Sequence, residues 1–128
     1  MPDHATDSAG MTYTKPADLP TVRAFIAERA RALGLAAARI NLLTVAVSEL
    51  TTNTLQHTDG GGHIRIWADN GRLICDVVDG GGPRRFGRAM PSADAVRGRG
   101  LAIVERICDS VHTAPVPGGT LVRICLNL

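Results

Sequence analysis

The stretch from Ala46 to His57 carries polar and apolar side chains at the spacing of a single helix. Glu49 and Asn53 are four residues apart, so a helix projects them from one face, and His57 continues that line. Beside them runs an apolar stripe with the spacing of a core-facing helix: Ile40, Leu43, Val47 and Leu50. The pattern predicts a long helix whose carboxylate and amide border the core, where polar groups need partners. A carboxylate that is merely solvated is the alternative.

Composition limits the classes of protein to which the chain can belong. Its 128 residues, 45% hydrophobic and 20% charged, suit one globular domain that needs no stabilising metal or disulfide. A net charge of +2 and 3% aromatic residues predict no nucleic-acid partner. The chain has no signal pattern and no apolar run of membrane length, which predicts a cytoplasmic protein without membrane contact. Three scattered cysteines are expected to be buried, reduced thiols: Cys75, Cys108 and Cys125.

Periodicity and turn signals predict the order of the elements. Residues 1–10 are expected to form a disordered tail, and residues 11–128 a single domain. The predicted elements are a weak edge strand at Met11–Lys15, a helix from the N-cap Asp18 to Gly34, a helix at Ala37–His57, a hairpin of His63–Ala68 and Arg72–Asp79, a helix from Leu101 to about Asp109, and a hairpin of Ser110–Ala114 and Thr120–Leu128 with its turn around Pro117–Gly119. This order predicts an α+β two-layer sandwich, with a mixed, mostly antiparallel sheet covered on one face by three helices.

A second carboxylate ends the predicted strand Arg72–Asp79. The two-residue period places Asp79 on the same face as Leu73, Cys75 and Val77, which should face the helices. A carboxylate that simply starts a turn is the ordinary alternative. On the core face, Asp79 can instead accept a hydrogen bond from an exocyclic amine, while the glycines that follow it let a flat ring approach.

Three further features have the chemistry of a nucleotide site. The glycines of Gly98-Arg99-Gly100 precede a helix, where backbone N–H groups and the helix dipole favour an anion, although this signal alone is weak. The amide oxygen of Asn53 suits Mg²⁺, which prefers oxygen ligands together with phosphates. Glu49, one turn away, can take a proton from an attacking hydroxyl or water. Together with Asp79, these features predict an adenine-nucleotide site with magnesium.

Three short motifs, called boxes below, resemble those of a known family in their order and spacing: Glu49-x-x-x-Asn53, Asp79-x-Gly81 and Gly98-x-Gly100-Leu101. They resemble the Bergerat-type ATP-binding fold shared by gyrase, the heat-shock chaperone ATPases, histidine kinases and MutL proteins. The stretch from Val47 to Asn53, with His57, is similar to stand-alone bacterial anti-sigma-factor serine/threonine kinases, especially their actinobacterial relatives. The resemblance extends from about residue 12 to the end of the chain.

The resemblance implies ATP and Mg²⁺ as ligands and a role for each matched residue. The implied roles are Glu49 as the catalytic base, Asn53 as the Mg²⁺ ligand, Asp79 and Gly81 at the adenine, Gly98, Arg99 and Gly100 along the phosphates, Thr120 near the base through a water, and His57 as a further nucleotide-binding residue. It implies a kinase that phosphorylates a serine or threonine of an anti-anti-sigma partner and otherwise holds a sigma factor inactive. A homodimer is compatible with it. An exposed apolar patch for the partner is expected on the first helix or near Leu101.

Two departures from the family pattern keep other functions open. Pro83 stands where the first glycine box usually ends in glycine, and the arginine-rich segment from there to Gly98 is short. These favour a non-catalytic module of the same fold that sequesters a regulator with weak or no ATP binding. A histidine kinase catalytic domain is a second alternative, although no helical hairpin with a phosphoacceptor histidine precedes the central helix. A third alternative, an ATP-driven clamp, would need further domains.

Overall fold

The computed structural model describes residues 8–57, 60–79, 102–117 and 119–128. Its strands are β1 (Ala9–Tyr13), β2 (Gly62–Asp69), β3 (Arg72–Asp79), β4 (Ser110–Val116) and β5 (Gly119–Asn127). Its helices are α1 (Leu19–Leu33), α2 (Ala37–His57) and α3 (Ala102–Ile107), and a short 3₁₀ turn at Pro16–Asp18 precedes α1. No helix in these ranges is both long and apolar enough to cross a membrane.

The five strands form one sheet in the order β1-β2-β3-β5-β4, and every neighbouring pair in the described chain is antiparallel. The predicted α+β sandwich and its element order are confirmed. The expected mixed character is not found in this sheet, because β1 and β2 are joined by two helices that run up and back. An even number of helices returns the chain in the opposite direction, so the second strand pairs antiparallel with the first.

The start of the domain differs in detail from its prediction. Strand β1 lies at the sheet edge, as expected, but it begins at Ala9, so the last residues of the predicted tail belong to the sheet. Asp18 holds the predicted N-cap position of α1, yet its side chain does not cap that helix. It accepts hydrogen bonds from the backbone N–H groups of Thr14 and Lys15, at 2.8 and 3.2 Å, and thereby fixes the turn between β1 and α1. At the other end, Gly34 terminates α1 with φ 101°, as predicted.

The hairpin of β2 and β3 follows its sequence signals closely. Asn70 and Gly71 connect the strands with φ values of 54° and 75°, the conformation that two-residue hairpin turns require. Along β3, Leu73, Cys75 and Val77 are buried against the helices, and Asp79 ends the same face half-buried. The prediction that this carboxylate lies on the helix side of the sheet is therefore confirmed.

The core fills the space between the helices and one face of the sheet. Helix α1 contributes Val22, Ile26 and Ala30, and the predicted stripe of α2 is buried at Leu43, Val47 and Leu50. The three cysteines are free and buried, as expected, and burial raises the pKa of the Cys108 thiol to about 12. The opposite face of the sheet is polar at its centre, where Arg123 forms a bidentate ion pair with Asp76 at 2.7 and 2.8 Å.

Candidate nucleotide-binding site

Helix α2 runs along the sheet in the same direction as β3. Near its start, Arg39 donates a 2.8 Å hydrogen bond to Asp109, which also accepts from the backbone of Asn127. Near its end, the Thr54 side chain is close enough to the hydroxyl of Tyr13 in β1 to lower the pKa of that tyrosine. The second half of α2, with Glu49 and Asn53, therefore lies over the end of the sheet at which Asp79 is found.

The polar line predicted on α2 is present at Glu49 and Asn53. Both side chains are half-buried, one helical turn apart, on the side of α2 that also carries Arg39. The Nδ2 atom of Asn53 is buried and has no hydrogen-bond partner among the described residues. Leaving such a donor unpaired costs free energy, so an amide in this setting suits a bound ligand or water. His57 is the last residue of the helix, and its side chain lies outside the described part.

Glycines surround the half-buried Asp79 in the neighbouring strands. Asp79 pairs with Gly62 of β2, and Gly62 in turn pairs with Tyr13 of β1. On the other side, a Cβ atom at Gly119 would lie 1.8 Å from the carbonyl oxygen of Asp79. Only glycine fits such an approach, so the strand next to Asp79 presents no side chain at that position.

Thr120 follows this glycine and comes close to Asp79 in the sheet. Val78 of β3 pairs with Leu121 of β5, and the next step of the register brings Thr120 beside Asp79. Thr120 is exposed. The sequence placed Gly119 in the hairpin turn, but β5 begins at this residue, which is how both positions reach the carboxylate.

Tyr13 is a member of this site that sequence reasoning missed. Its side chain is 1% exposed, and its hydroxyl makes no hydrogen bond of good geometry with any described group. Burial raises the pKa of Tyr13 to about 12, the nearby Thr54 side chain lowers it, and the charge of Asp79 raises it further. Alternation along β1 signals that Tyr13 faces the core, but no local pattern indicates which residues surround its hydroxyl.

The described residues fit an adenine nucleotide with Mg²⁺. An unpaired amide on α2, a carboxylate between glycines and a neighbouring threonine are the donors and acceptors that such a ligand needs. No cluster of three or more His, Cys, Asp or Glu suited to a metal occurs among the described residues. Mg²⁺ needs no such cluster, because it usually binds through one or two protein oxygens plus phosphates and water.

The remaining predicted site residues lie outside the described part of the chain. They are Gly81, Gly98, Arg99 and Gly100, together with Pro83 and the arginines of the segment that joins the two glycine boxes. Their roles stay predictions.

Comparison with known proteins gives the family. A model of the histidine kinase-like ATPase domain matches residues 13–126. No curated protein matches the sequence significantly. Among solved structures, a crystal structure of the RsbU and RsbW domains of Rv1364c from Mycobacterium tuberculosis matches with a TM-score of 0.72 and 22% identity. The match covers 94% of this chain but only 32% of that one, so this chain spans less than half of the relative.

The two comparisons agree with each other and with the described fold. The structural match supports the α+β architecture, since a likeness at this identity concerns the fold alone. The family model covers most of the sequence and confirms the family predicted from the three boxes. This chain belongs to the histidine kinase-like ATPase domain family.

Proposed function

We propose that this protein is a bacterial, cytoplasmic regulator of transcription: an anti-sigma factor that uses Mg-ATP to phosphorylate a serine or threonine of an anti-anti-sigma partner. One observation carries the proposal. Glu49 and Asn53 lie one turn apart on the half of α2 that covers the sheet end of Asp79. The residues proposed as proton acceptor, magnesium ligand and adenine acceptor therefore lie in one region of the molecule.

Nucleotide binding divides between the helix and the sheet. The carboxylate of Asp79 accepts a hydrogen bond from the exocyclic amine of adenine, and the glycines beside it leave room for the flat base. The side-chain oxygen of Asn53 would hold Mg²⁺, while Thr120 would reach the base through a water. Gly81, Gly98, Arg99 and Gly100 would complete the pocket around the base and the phosphates, as the family resemblance implies, and His57 would close it at the end of α2.

Phosphoryl transfer then needs little covalent chemistry from the protein. When bound, Mg-ATP would supply the phosphoryl group and leave as ADP, and the metal would offset negative charge on the phosphates. Glu49 orients the attacking hydroxyl of the partner and holds its proton on a carboxylate oxygen. Its half-buried position at the border of the core suits this role, because the carboxylate would lie near the ligand and remain accessible to a protein substrate.

Exposed apolar side chains beside this carboxylate support a partner surface there. Leu42 and Val45, two large apolar residues of α2, are 43% and 46% exposed. Val45 lies one turn before Glu49, so an apolar contact and the proposed base share one side of the helix. The patch had been expected on α1 or near Leu101, but on α1 the large apolar side chains are at least partly buried. The anti-sigma role is supported by the sequence resemblance of Val47 to Asn53, with His57, to stand-alone anti-sigma-factor kinases.

A non-catalytic module that sequesters its partner is the second candidate function. The observation in its favour is Pro83 at the end of the first glycine box, followed by a short arginine-rich segment. Such a protein would keep the partner surface of Leu42 and Val45 but would bind ATP weakly or not at all.

Two measurements on three variants test the proposal: calorimetry with ATP and Mg²⁺, and phosphate transfer from radiolabelled ATP to a candidate partner. Glu49→Ala should lower transfer by roughly 10² to 10⁴ and leave ATP affinity nearly constant, because a base acts in the transition state. Asn53→Ala should lose magnesium-dependent binding and transfer together. Glu28→Ala, an exposed glutamate on α1, is the matched control and should change neither.

The outcomes separate the two functions. Transfer by Glu49→Ala at the wild-type rate would show that this carboxylate is structural. Binding of ATP by the wild-type protein without transfer to any partner would favour the sequestering module, and absence of ATP binding would remove the kinase altogether.

A further inference from the structure

The hydroxyl of Tyr13 lies at the junction of the helix and the sheet. The ring is buried under α2, and the hydroxyl is close to Thr54 of that helix and to the charge of Asp79 in β3. Three strands contribute to the arrangement, since Tyr13, Gly62 and Asp79 pair in one row across β1, β2 and β3. Thr54 follows Asn53 in α2. The hydroxyl therefore lies between the helix turn that carries the proposed magnesium ligand and the strand end that carries the proposed adenine acceptor.

The local packing preserves this position of the hydroxyl. A Cβ atom at Gly62 would lie 2.9 Å from the Tyr13 oxygen and 2.0 Å from the carbonyl oxygen of Val78. A side chain at Gly62 would therefore displace both the hydroxyl and the strand. The glycine in the middle of the row leaves the space through which Tyr13 reaches towards Asp79.

A buried hydroxyl is normally hydrogen-bonded, because leaving it unpaired costs about 1–3 kcal/mol. In the described chain the Tyr13 oxygen has no bond of good geometry. Thr54 donates its own hydroxyl proton to the backbone oxygen of Leu50 at 3.0 Å, so that proton is not directed at the tyrosine oxygen. The charge of Asp79, across Gly62 in the same row, raises the pKa of this hydroxyl, and one water between the two would let the hydroxyl donate towards that carboxylate.

We propose that Tyr13 is a positioning residue for adenine recognition: its hydroxyl steadies the carboxylate of Asp79, and Thr54, which lies beside that hydroxyl, keeps it at the helix turn of Asn53. The inference rests on the proposed nucleotide binding but not on kinase activity. Because burial raises the pKa of Tyr13 to about 12, the hydroxyl remains a donor at every pH at which binding would be measured. A carboxylate held in one orientation reads the amine of adenine more selectively than one that rotates.

Tyr13→Phe tests the proposal, because it removes the hydroxyl and keeps the ring. Calorimetry with Mg²⁺ compares ATP with inosine triphosphate, which carries an oxygen in place of the exocyclic amine. We expect ATP affinity to fall about tenfold, the effect of one hydrogen bond to a charged group, and inosine triphosphate affinity to change little. The preference for ATP should therefore shrink about tenfold. Thermal unfolding without nucleotide should show a nearly unchanged midpoint, since the ring that fills the core is retained.

Two further variants complete the experiment. Thr12→Val removes a hydroxyl from the exposed, opposite face of the same strand, and it should change neither the preference nor the midpoint. Thr54→Val should reduce the preference for ATP in the same direction as Tyr13→Phe, by a smaller factor, because it removes the anchor on the helix.

The results that overturn the proposal differ from those that overturn the proposed function. If the wild-type protein prefers ATP and Tyr13→Phe keeps that preference, Tyr13 has no positioning role, whatever happens to the unfolding midpoint. A lower midpoint with an unchanged preference assigns Tyr13 to the core alone. If the wild-type protein binds neither nucleotide, the proposed function itself fails, and this inference fails with it.

Discussion

The polar groups near the two ends of strand β3 differ in whether they have hydrogen-bond partners in the described chain. At the Arg72 end, the backbone N–H of Leu128 donates to Gly71 at 2.9 Å, and Asp109 accepts from Arg39 and Asn127 at 2.8 and 2.7 Å. At the Asp79 end, the amide nitrogen of Asn53 and the hydroxyl of Tyr13 are buried without a described partner. The first end is bonded internally, whereas the second end keeps two buried donors that the described chain does not satisfy.

One atom at the Arg72 end departs from this rule. The Nε of Arg39 is buried and has no partner in the described chain, although the same guanidinium is held by Asp109 through Nη2. The Arg39 side chain is nevertheless anchored through another of its nitrogens, whereas the amide nitrogen of Asn53 has no described partner. Helix α2 runs along β3 from the Arg72 end to the Asp79 end. Substitutions at the Arg72 end should therefore change the free energy of unfolding, and substitutions at the Asp79 end should change the affinity for ATP.

The largest effect is expected at Asp79. Asp79→Asn replaces an acceptor with a group that turns a donor towards the amine of adenine. A site built around such a hydrogen bond can discriminate by a factor of roughly 10⁴ when the group is mismatched. Calorimetry should therefore show that ATP and ADP affinity collapse, while circular dichroism shows that the fold is retained. Unchanged binding would mean that the base lies elsewhere.

Asp76→Asn is the matched control for that experiment, because it makes the same change on the same strand but on the opposite face. It weakens the ion pair with Arg123, so the free energy of unfolding should fall by about 1 kcal/mol, a low value because Arg123 is 42% exposed. Its ATP affinity should equal that of the wild-type protein. The pair of variants thus assigns binding to one face of β3 and stability to the other.

A smaller effect is expected at Gly119, where both properties should change together. Its Cβ atom would lie 1.8 Å from the carbonyl oxygen of Asp79, so Gly119→Ala must push β5 away from β3. Overpacking of this kind costs about 3 kcal/mol, and the shift of Asp79 should weaken ATP binding as well. Denaturant unfolding and calorimetry on one preparation measure both.

The control for this substitution lies far from the site. Gly34 has a φ of 101° and no neighbouring atom within 4 Å, so Gly34→Ala should cost about 1 kcal/mol of backbone strain and leave ATP affinity unchanged. If Gly119→Ala lost stability but bound ATP normally, the close approach of β5 would serve the sheet and not the site.

The sequence was most informative where the signal is local. The period of α2, the glycine at the end of α1 and the Asn70-Gly71 turn each depend on a few adjacent residues, and all three are found in the structure. The two-residue period of β3 was sufficient to place Asp79 on the helix side of the sheet.

Long-range pairing accounts for what the sequence did not predict. Tyr13 reaches Asp79 only because β1 pairs with β2 across two intervening helices, and no pattern within β1 encodes that register. Gly119 comes to Asp79 because β5, and not β4, pairs with β3, and the same pairing brings Thr120 there, a position that only the family resemblance had implied. The sequence predicted Asp18 as a helix cap. Residue type alone cannot show that its carboxylate accepts a hydrogen bond from the backbone of Thr14, which precedes it in the chain.

The smallest effect is expected at the Arg72 end, from Asp109→Asn. The backbone N–H of Asn127 and then the charge of Arg39 hold the pKa of Asp109 below its usual range, against a desolvation effect that raises it. A carboxyl whose pKa is lower in the folded state stabilises the fold above its unfolded pKa of about 3.9, and this contribution is lost as the pH falls through the folded pKa. The unfolding midpoint of Asp109→Asn should therefore be lower than that of the wild-type protein near neutral pH.

That difference in midpoint should stay constant between about pH 5 and 7 and shrink as the solution is acidified below about pH 4, where the wild-type carboxyl becomes protonated. Subtracting the midpoint of the variant from that of the wild-type protein removes the effect of other carboxylates. Asp18 is one of them, because the backbone of Thr14 is the largest cause that lowers its pKa.

ATP affinity at neutral pH should be the same in both proteins, because Asp109 lies at the end of β3 that is bonded internally. A midpoint difference that persists unchanged to pH 3 would show that the shape of the side chain, and not its charge, holds α2 to the end of the sheet. A loss of ATP affinity would instead show that the two ends of β3 are coupled through α2.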